Sequence, residues 1–198
     1  LTDGVLYVSN VGNTVYALDR LTGSLKWRYV HDKDVSRAVR LELYGAPQPV
    51  DHGAFVLAGF HDGALVALTK DRGVREWQST VGEGKYTDII GRPVVVGEDV
   101  IISGFSAPLV AMKLDSRNVR WRVETGGATD VVVDDGVGFF AAADGNLMAI
   151  DLLNGSTRWN WKAPKEAALT TPVLTEAGLY IGTSNGGLFL IDEETGEQ

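Results

Sequence analysis

Apolar and polar residues alternate along most of this chain in short runs, and pairs of turn-forming residues separate the runs. Alternation with a period of two is typical of half-buried β-strands, and it dominates over the 3.6-residue period of amphipathic helices. Turn-forming pairs such as Gly12-Asn13 and Asp62-Gly63 lie between consecutive runs, where a hairpin needs residues that tolerate positive φ. The pattern therefore predicts an all-β protein built from antiparallel hairpins.

One eleven-residue stretch, residues 17–27, recurs along the chain. It carries an Ala, an Asp, a Gly and a final Trp, and its apolar ends predict a strand, a tight turn and the start of the next strand. The copies occupy residues 67–77, 111–121 and 149–159, and Arg117 stands at the Gly position of the second of these. A fifth copy begins at Leu190 and reaches Gly196.

The spacing of the repeat predicts the architecture. Its Trp residues, Trp27, Trp77, Trp121 and Trp159, are separated by 50, 44 and 38 residues. A period of about 40–45 residues with several short strands per unit is typical of β-propellers. We therefore predict one β-propeller over residues 1–198, with four-stranded antiparallel blades and units at approximately 1–30, 47–80, 92–124, 128–162 and 170–198.

The chain holds about 4.5 units of this length. The first unit lacks its innermost strand and the last lacks its outermost strand, so we expect an arc of a larger ring with seven or eight blades. A five-bladed ring closed by the two ends is the alternative.

Composition excludes several classes of function. The net charge is −8 and the acidic and basic residues are interspersed, whereas a nucleic-acid partner would need a basic stripe. The chain has no Cys, which excludes disulfides, thiolate metal sites and a Cys nucleophile. No apolar run approaches the roughly 18 residues of a transmembrane segment. The first residue is Leu1, so we expect a mature or trimmed chain.

Candidate catalytic motifs are explained better as structural features. Residues 182–186 have the Gly-x-Ser-x-Gly spacing of a nucleophile elbow, but that elbow joins a strand to a helix, and both flanks here are predicted strands. The three histidines, His31, His52 and His61, lack the spacing of a metal site, and His52 and His61 are predicted on opposite faces of one blade. We therefore predict a protein that is not an enzyme and that has no catalytic residue, metal site or cofactor.

The run Ala-x-Asp-x-x-x-Gly-x-x-x-Trp resembles the tryptophan-docking repeat of the PQQ-type β-propeller family, and the resemblance covers essentially the whole chain. In that family each Trp stacks between blades on the backbone near the Gly of the next unit. The resemblance therefore implies a set of structural docking residues, namely Trp27, Trp77, Trp121, Trp159, Gly23, Gly73, Gly155 and Gly196.

Within that family, residues 41–47, 87–96 and 169–174 are similar to the branch that includes BamB, the lipoprotein of the outer-membrane β-barrel assembly machinery. This resemblance implies a non-catalytic protein-binding scaffold of the bacterial periplasm that supports assembly of outer-membrane β-barrel proteins. It also implies tethering to the outer membrane by an N-terminal lipid anchor.

Two loops on one face are implicated in partner binding. In BamB, two such loops grip a periplasmic domain of the barrel-forming subunit. One carries Leu-x-Leu-Arg, which falls on residues 39–42 with Glu42 at the Arg position, and the other carries an Asp pair, which falls on Asp88 and Ile90. The unit spacing points independently to the same two connections, because both are enlarged and both join an outermost strand to the next innermost strand. The predicted partner-binding residues are Val39, Leu41, Glu42, Lys85, Tyr86 and Asp88.

Other hypotheses stay open on the sequence. A fragment of a PQQ-dependent quinoprotein dehydrogenase would be expected to show adjacent cysteines, a cofactor-stacking Trp and a calcium-binding Glu/Asn/Asp set, which we do not recognise in this sequence. An envelope sensor or a polysaccharide-binding propeller is a further alternative. The two enlarged loops are also compatible with solvated loops that bind no partner.

Overall fold

The computed structural model describes residues 4–32, 46–81, 88–104, 107–127 and 129–198. Within these ranges the chain forms eighteen β-strands arranged in five antiparallel sheets. The first sheet contains β1 (Val5–Asn10), β2 (Thr14–Asp19) and β3 (Leu25–Val30). The second contains β4 (Val50–His52), β5 (Phe55–Gly59), β6 (Ala64–Thr69) and β7 (Arg75–Thr80).

The remaining sheets follow the same up-and-down order. The third contains β8 (Val94–Val96), β9 (Asp99–Ile102), β10 (Pro108–Lys113) and β11 (Val119–Gly126). The fourth contains β12 (Val132–Asp134), β13 (Val137–Ala141), β14 (Asn146–Asp151) and β15 (Thr157–Lys162). The fifth contains β16 (Val173–Thr175), β17 (Gly178–Gly182) and β18 (Leu188–Ile191). This confirms the predicted all-β class and the succession of antiparallel blades, and we number the sheets as blades 1 to 5.

The innermost strands of blades 2 to 5 are the shortest, with three residues each. Pro49, Pro93 and Pro172 directly precede three of them. Proline has no backbone N–H to give to a ladder, so pairing begins one residue later.

The repeat fixes the register of the outer hairpins. Ala17, Ala67, Ala111 and Ala149 each lie directly opposite the Trp of their own blade. In all four hairpins the register shifts immediately after this Ala, so the turn-proximal part of each hairpin is irregular. Equivalent residues therefore occupy equivalent places in four blades.

The core lies between neighbouring blades. One buried cluster joins Val15 and Trp27 of blade 1 to Val56 and Val66 of blade 2, and equivalent clusters lie at the next three junctions. The two middle strands of blades 2 and 3 are buried on both faces, which explains their nearly continuous apolar sequences. The described ranges contain no helix long and apolar enough to cross a bilayer.

The arc has two distinct faces. On one face, which we call the turn face, the outer-hairpin turns of blades 1 to 4 bond back to the inner hairpins of their own blades, for example Lys70 N to Ala54 O at 3.3 Å and Leu152 N to Gly136 O at 2.9 Å. On the other, the loop face, the outermost strand ends beside the middle hairpin turn, for example His31 N to Asn13 O at 2.9 Å. The connections between blades leave from the loop face.

Candidate functional site

Both predicted partner-binding loops leave the loop face from adjacent blades. The first continues from His31, just after β3, and the second from Val81, just after β7. Val81 N donates to Gly63 O at 2.8 Å, which ties the start of the second loop to the middle turn of blade 2. Val39, Leu41, Glu42, Lys85 and Tyr86 lie outside the described residues, so among the predicted partner-binding residues the structure places Asp88.

Asp88 lies where the second loop returns to the sheet, and the residue after it holds that return in place. Ile89 is fully buried, and its backbone N–H donates to Phe60 O at 3.1 Å. A Cβ added at Gly59 would come within 2.5 Å of Ile89 Cγ2, so the glycine creates the space for this side chain. The position of the Asp88 backbone is therefore set by core packing.

Burial raises the pKa of the Asp88 carboxyl, the nearby His61 lowers it in part, and the Asp62 charge raises it further. His61 Nδ1 is buried, and it has no hydrogen-bond partner within the described part of the chain. Asp88 and His61 thus place titratable groups directly at the base of the second loop.

A buried polar cluster joins the two loop bases. His31 Nε2 lies 2.8 Å from Asp62 Oδ2, and both side chains are less than a tenth exposed. The His31 ring stacks on Phe60 with centroids 4.2 Å apart, and the Tyr29 hydroxyl lies 3.4 Å from His31 Nδ1. Because His31 belongs to blade 1 and Asp62 to blade 2, the contact fixes the start of the first loop against the neighbouring blade.

The pairing of His31 with Asp62 was not predicted from the sequence. A signal was present in the repeat, because the position four residues after each Trp holds Val81, Thr125 and Ala163 in the other three units. Val81 and Ala163 are buried, so a histidine at the equivalent position is an unexpected polar side chain in a buried place. The sequence alone could not name its partner, which lies 31 residues away.

The structure brings three of the predicted docking pairs together. A Cβ on Gly73, Gly155 or Gly196 would come within 2.4–2.8 Å of the ring of Trp27, Trp121 or Trp159, respectively, so each indole packs directly on a glycine backbone. Each indole N–H also donates to a carbonyl of the next blade, at Lys70, Leu152 and Glu193, over 2.8–2.9 Å. Gly23 has the same positive φ, and a Cβ there would meet nothing within 4 Å.

Turn chemistry holds these glycines in place. Asp19 Oδ1 accepts the backbone N–H groups of Leu21 and Thr22, and Asp192 Oδ1 accepts those of Glu194 and Thr195, over 2.8–3.1 Å. The bond from the Thr22 N–H, and the equivalent bond from Thr195, lower the pKa of each carboxyl below its ordinary value. The Asp of the repeat therefore shapes the turn that presents the Gly.

The fourth predicted docking tryptophan, Trp77, has Arg117 at the place of the glycine. Arg117 keeps the turn conformation, with φ of 60° and a bond from its N–H to Lys113 O at 2.9 Å. Among the hydrogen bonds of the described residues, the Trp77 N–H makes none, whereas the other three docking indoles each make one. The junction between blades 2 and 3 therefore differs from the other three.

The motifs considered for catalysis lie in hairpins. Residues 182–186 connect β17 to β18, and Ser184 N donates to Ala168 O at 2.8 Å, so this is a strand–turn–strand segment. Within the described ranges, no group of three or more His, Asp or Glu side chains is placed to hold a metal ion. His52 is the last residue of β4, at the turn face, and His61 lies in a turn on the loop face.

A protein-family model described as "Outer membrane protein assembly factor BamB" matches residues 1–160. The BamB of Moranella endobia is 27% identical over 99% of this chain and 51% of its own length. The BamB of Yersinia pestis is 26% identical over 99% of this chain and 50% of its own length. The chain thus spans about half the length of these curated relatives.

Solved structures show the same fold. The crystal structure of BamB from Moraxella catarrhalis superposes with a TM-score of 0.83 at 21% identity, covering 98% of this chain and 60% of that one. Quinohemoprotein alcohol dehydrogenase from Comamonas testosteroni superposes with a TM-score of 0.76 at 18% identity, covering 99% of this chain and 41% of that one. Both similarities support the assignment of the five sheets to a β-propeller arc.

Proposed function

The chain belongs to the family described as outer membrane protein assembly factor BamB, and from this premise we propose that it is a non-catalytic protein-binding scaffold of the bacterial periplasm. In this proposal it supports the assembly of outer-membrane β-barrel proteins, as the names of its relatives say of those proteins. We further propose that the protein is tethered to the outer membrane by an N-terminal lipid anchor.

The observation that carries the proposal is the arrangement of the two loop bases. Both long connections start on the loop face from adjacent blades, and the His31–Asp62 contact joins their bases through buried side chains. A rigid scaffold that holds two loops side by side is suited to recognition, because the loops supply the contacts while the sheets fix their separation. The buried Ile89 fixes the return of the second loop in the same way.

We propose that the loop face grips a periplasmic domain of the barrel-forming subunit. Val39 and Leu41 supply apolar contacts, Lys85 and Tyr86 supply a cation and an aromatic ring, and Glu42 and Asp88 supply carboxylates. Aromatic and aliphatic anchors with charged neighbours are typical of protein interfaces. Glu42 stands where the resemblance places an Arg, so we expect the partner surface opposite it to be basic.

The test is a calorimetric titration of the protein with purified periplasmic domains of the barrel-forming subunit. We expect binding in roughly the micromolar range, and Leu41→Asp or Lys85→Glu should weaken it by about tenfold or more. Leu153→Asp is the matched control, because Leu153 is 71% exposed on the opposite face and should leave the affinity unchanged. Absence of binding, or equal loss in the control, would refute the proposal.

A quinoprotein dehydrogenase is the second candidate, favoured by the superposition on quinohemoprotein alcohol dehydrogenase. At 18% identity that superposition supports the fold alone. Incubation with pyrroloquinoline quinone and calcium followed by a dye-linked alcohol oxidation assay separates the two candidates. We expect no turnover above that of the free cofactor, and clear turnover would favour the dehydrogenase.

A further inference from the structure

The exceptional junction between blades 2 and 3 contains an apolar cavity. It has a volume of about 310 Å³ and opens on the turn face, where His52 and Asp115 line its opening. Phe55, Leu57, Trp77 and Leu114 supply its apolar surface. A cavity of this size and composition fits one aromatic or branched aliphatic side chain.

The replacement of glycine by Arg117 explains why Trp77 lines this cavity. At the other three junctions a Cβ on the equivalent glycine would overlap the indole at 2.8 Å or less, so an indole cannot sit in the same place against a residue that has a Cβ. Trp77 therefore lines an open space, and it is only partly buried, as is the docked Trp159, whereas Trp27 and Trp121 are each 7% exposed. Its indole N–H remains available to an acceptor from outside the described residues.

A second junction of the same chain provides an internal comparison. The cavity at the equivalent place between blades 4 and 5 measures about 350 Å³, and charged side chains dominate its lining. These are Asp134, Asp135, Arg158, Glu193 and Glu194. The apolar lining between blades 2 and 3 is thus a property of that junction and is not common to all the junctions of the repeat.

The turn face as a whole carries more exposed carboxylates than exposed cations. Asp115 lies at the opening, and the bond from the Ser116 N–H lowers the pKa of its carboxyl, so it is ionised at neutral pH. Asp134, Asp135, Glu176 and Glu194 are also exposed on the turns of this face. Arg20, Arg72 and Arg117 are exposed there too, and Arg117 lies two residues from Asp115, but across the whole face the exposed carboxylates outnumber these cations. Charge complementarity therefore favours a basic partner.

We infer that the cavity between blades 2 and 3 is a binding site for an aromatic or branched aliphatic side chain presented by a basic segment of a protein partner. The apolar walls receive the side chain, and the exposed carboxylates attract the flanking cations. The site lies on the face opposite the two loops, so this inference does not depend on the proposed function.

The test uses a short peptide with a central Phe between lysines, and a matched peptide with Ser in place of Phe. Binding is followed by NMR of the indole N–H signals in the full chain, with the Trp77 signal assigned from Trp77→Phe. We expect the Phe peptide to shift the Trp77 signal saturably and the Ser peptide to bind at least about tenfold more weakly.

Two substitutions of Arg117 separate the effect of the cavity on peptide binding from the effect of the Arg117 charge. Arg117→Gly removes the Cβ and lets Trp77 dock, so it should raise stability and weaken Phe-peptide binding by about tenfold or more. Arg117→Ala removes the same charge but keeps the Cβ, so binding should persist. Equal loss in both variants, equal binding of the two peptides, or a Trp77 signal that shifts with protein concentration alone would each overturn the inference.

Discussion

At the scale of single residues, two separate requirements favour glycine at the docking positions. The backbone has positive φ, and a docked indole leaves no room for a Cβ. Gly73 has φ of 66°, and a Cβ there would lie 2.4 Å from Trp27 Cε3. Gly23 occupies the same place in the repeat with φ of 71°, but a Cβ there would meet nothing within 4 Å. Alanine substitutions at Gly73 and Gly23 therefore separate the cost of backbone strain from the cost of lost docking.

We predict that Gly73→Ala lowers the free energy of unfolding by about 3 kcal/mol, because it combines backbone strain with overpacking against the indole. Gly23→Ala should cost about 1 kcal/mol, since it introduces the backbone strain alone. Urea unfolding of both variants measures the difference. Equal losses of unfolding free energy in the two variants would show that docking of Trp27 does not require a residue without a Cβ at position 73.

The turn carboxyls of Asp19 and Asp192 predict how the stability of the fold changes at acidic pH. Backbone N–H bonds hold the pKa of Asp19 and Asp192 below the ordinary value in the folded chain. A depressed folded pKa contributes stability that is present above the unfolded value of about 3.9 and is lost as the pH falls through the folded pKa. The free energy of unfolding should therefore decrease below about pH 4.

Asp192→Asn tests this acid dependence, because the amide oxygen can still accept the turn bonds but the side chain no longer titrates. The variant should show a shallower decrease in unfolding free energy between about pH 4 and pH 2 than the wild type. The measurement is urea unfolding as a function of pH. An unchanged slope would mean that the turn carboxyl does not couple to folding.

At the scale of elements, the repeat predicted most of what the structure shows. The Trp spacing and the turn-forming pairs placed the strands of five units, and the sheets follow that order. Alternation does not reveal where the ladder of an innermost strand starts, whereas the prolines directly before three of these strands do. The His31–Asp62 contact could not be predicted, because it depends on how two blades sit side by side.

That contact leads to a prediction about the junction between blades 1 and 2. A double-mutant cycle of His31→Ala and Asp62→Ala should give a coupling energy of about 1–3 kcal/mol, because the pair is buried and hydrogen-bonded. The exposed pair of Lys26 and Asp19, 3.7 Å apart, serves as the control and should show no measurable coupling. Coupling of similar size in both cycles would argue that burial of the His31–Asp62 pair has no special effect.

At the scale of the whole molecule, the arc presents two faces with different properties. The loop face holds two connections at fixed bases, whereas the turn face is acidic overall and has an apolar cavity between blades 2 and 3. The sequence indicated the loop face through the enlarged unit spacings and the resemblance of residues 39–42 and 88–90. The cavity was harder to anticipate, because Arg117 was visible as a departure from the repeat but its effect on Trp77 requires the packed junction.

A ring of seven or eight blades stays a prediction that the relatives support, since the chain spans about half their length. The outward sides of the two end blades expose large apolar residues, among them Leu6 and Val8 in blade 1 and Val173 and Leu188 in blade 5. Apolar surface of this kind is typical of a face that packs against another element. Further blades would cover both sides.

The loop face is the surface that we propose meets the assembly machinery. Site-specific photo-crosslinking in intact envelopes tests this directly, with a photoreactive residue at position 88 on the loop face and, as the control, at position 176, an exposed site on the turn face. We predict a covalent adduct with the barrel-forming subunit from position 88 and none from position 176. No adduct from position 88, or equal adducts from both positions, would contradict the account.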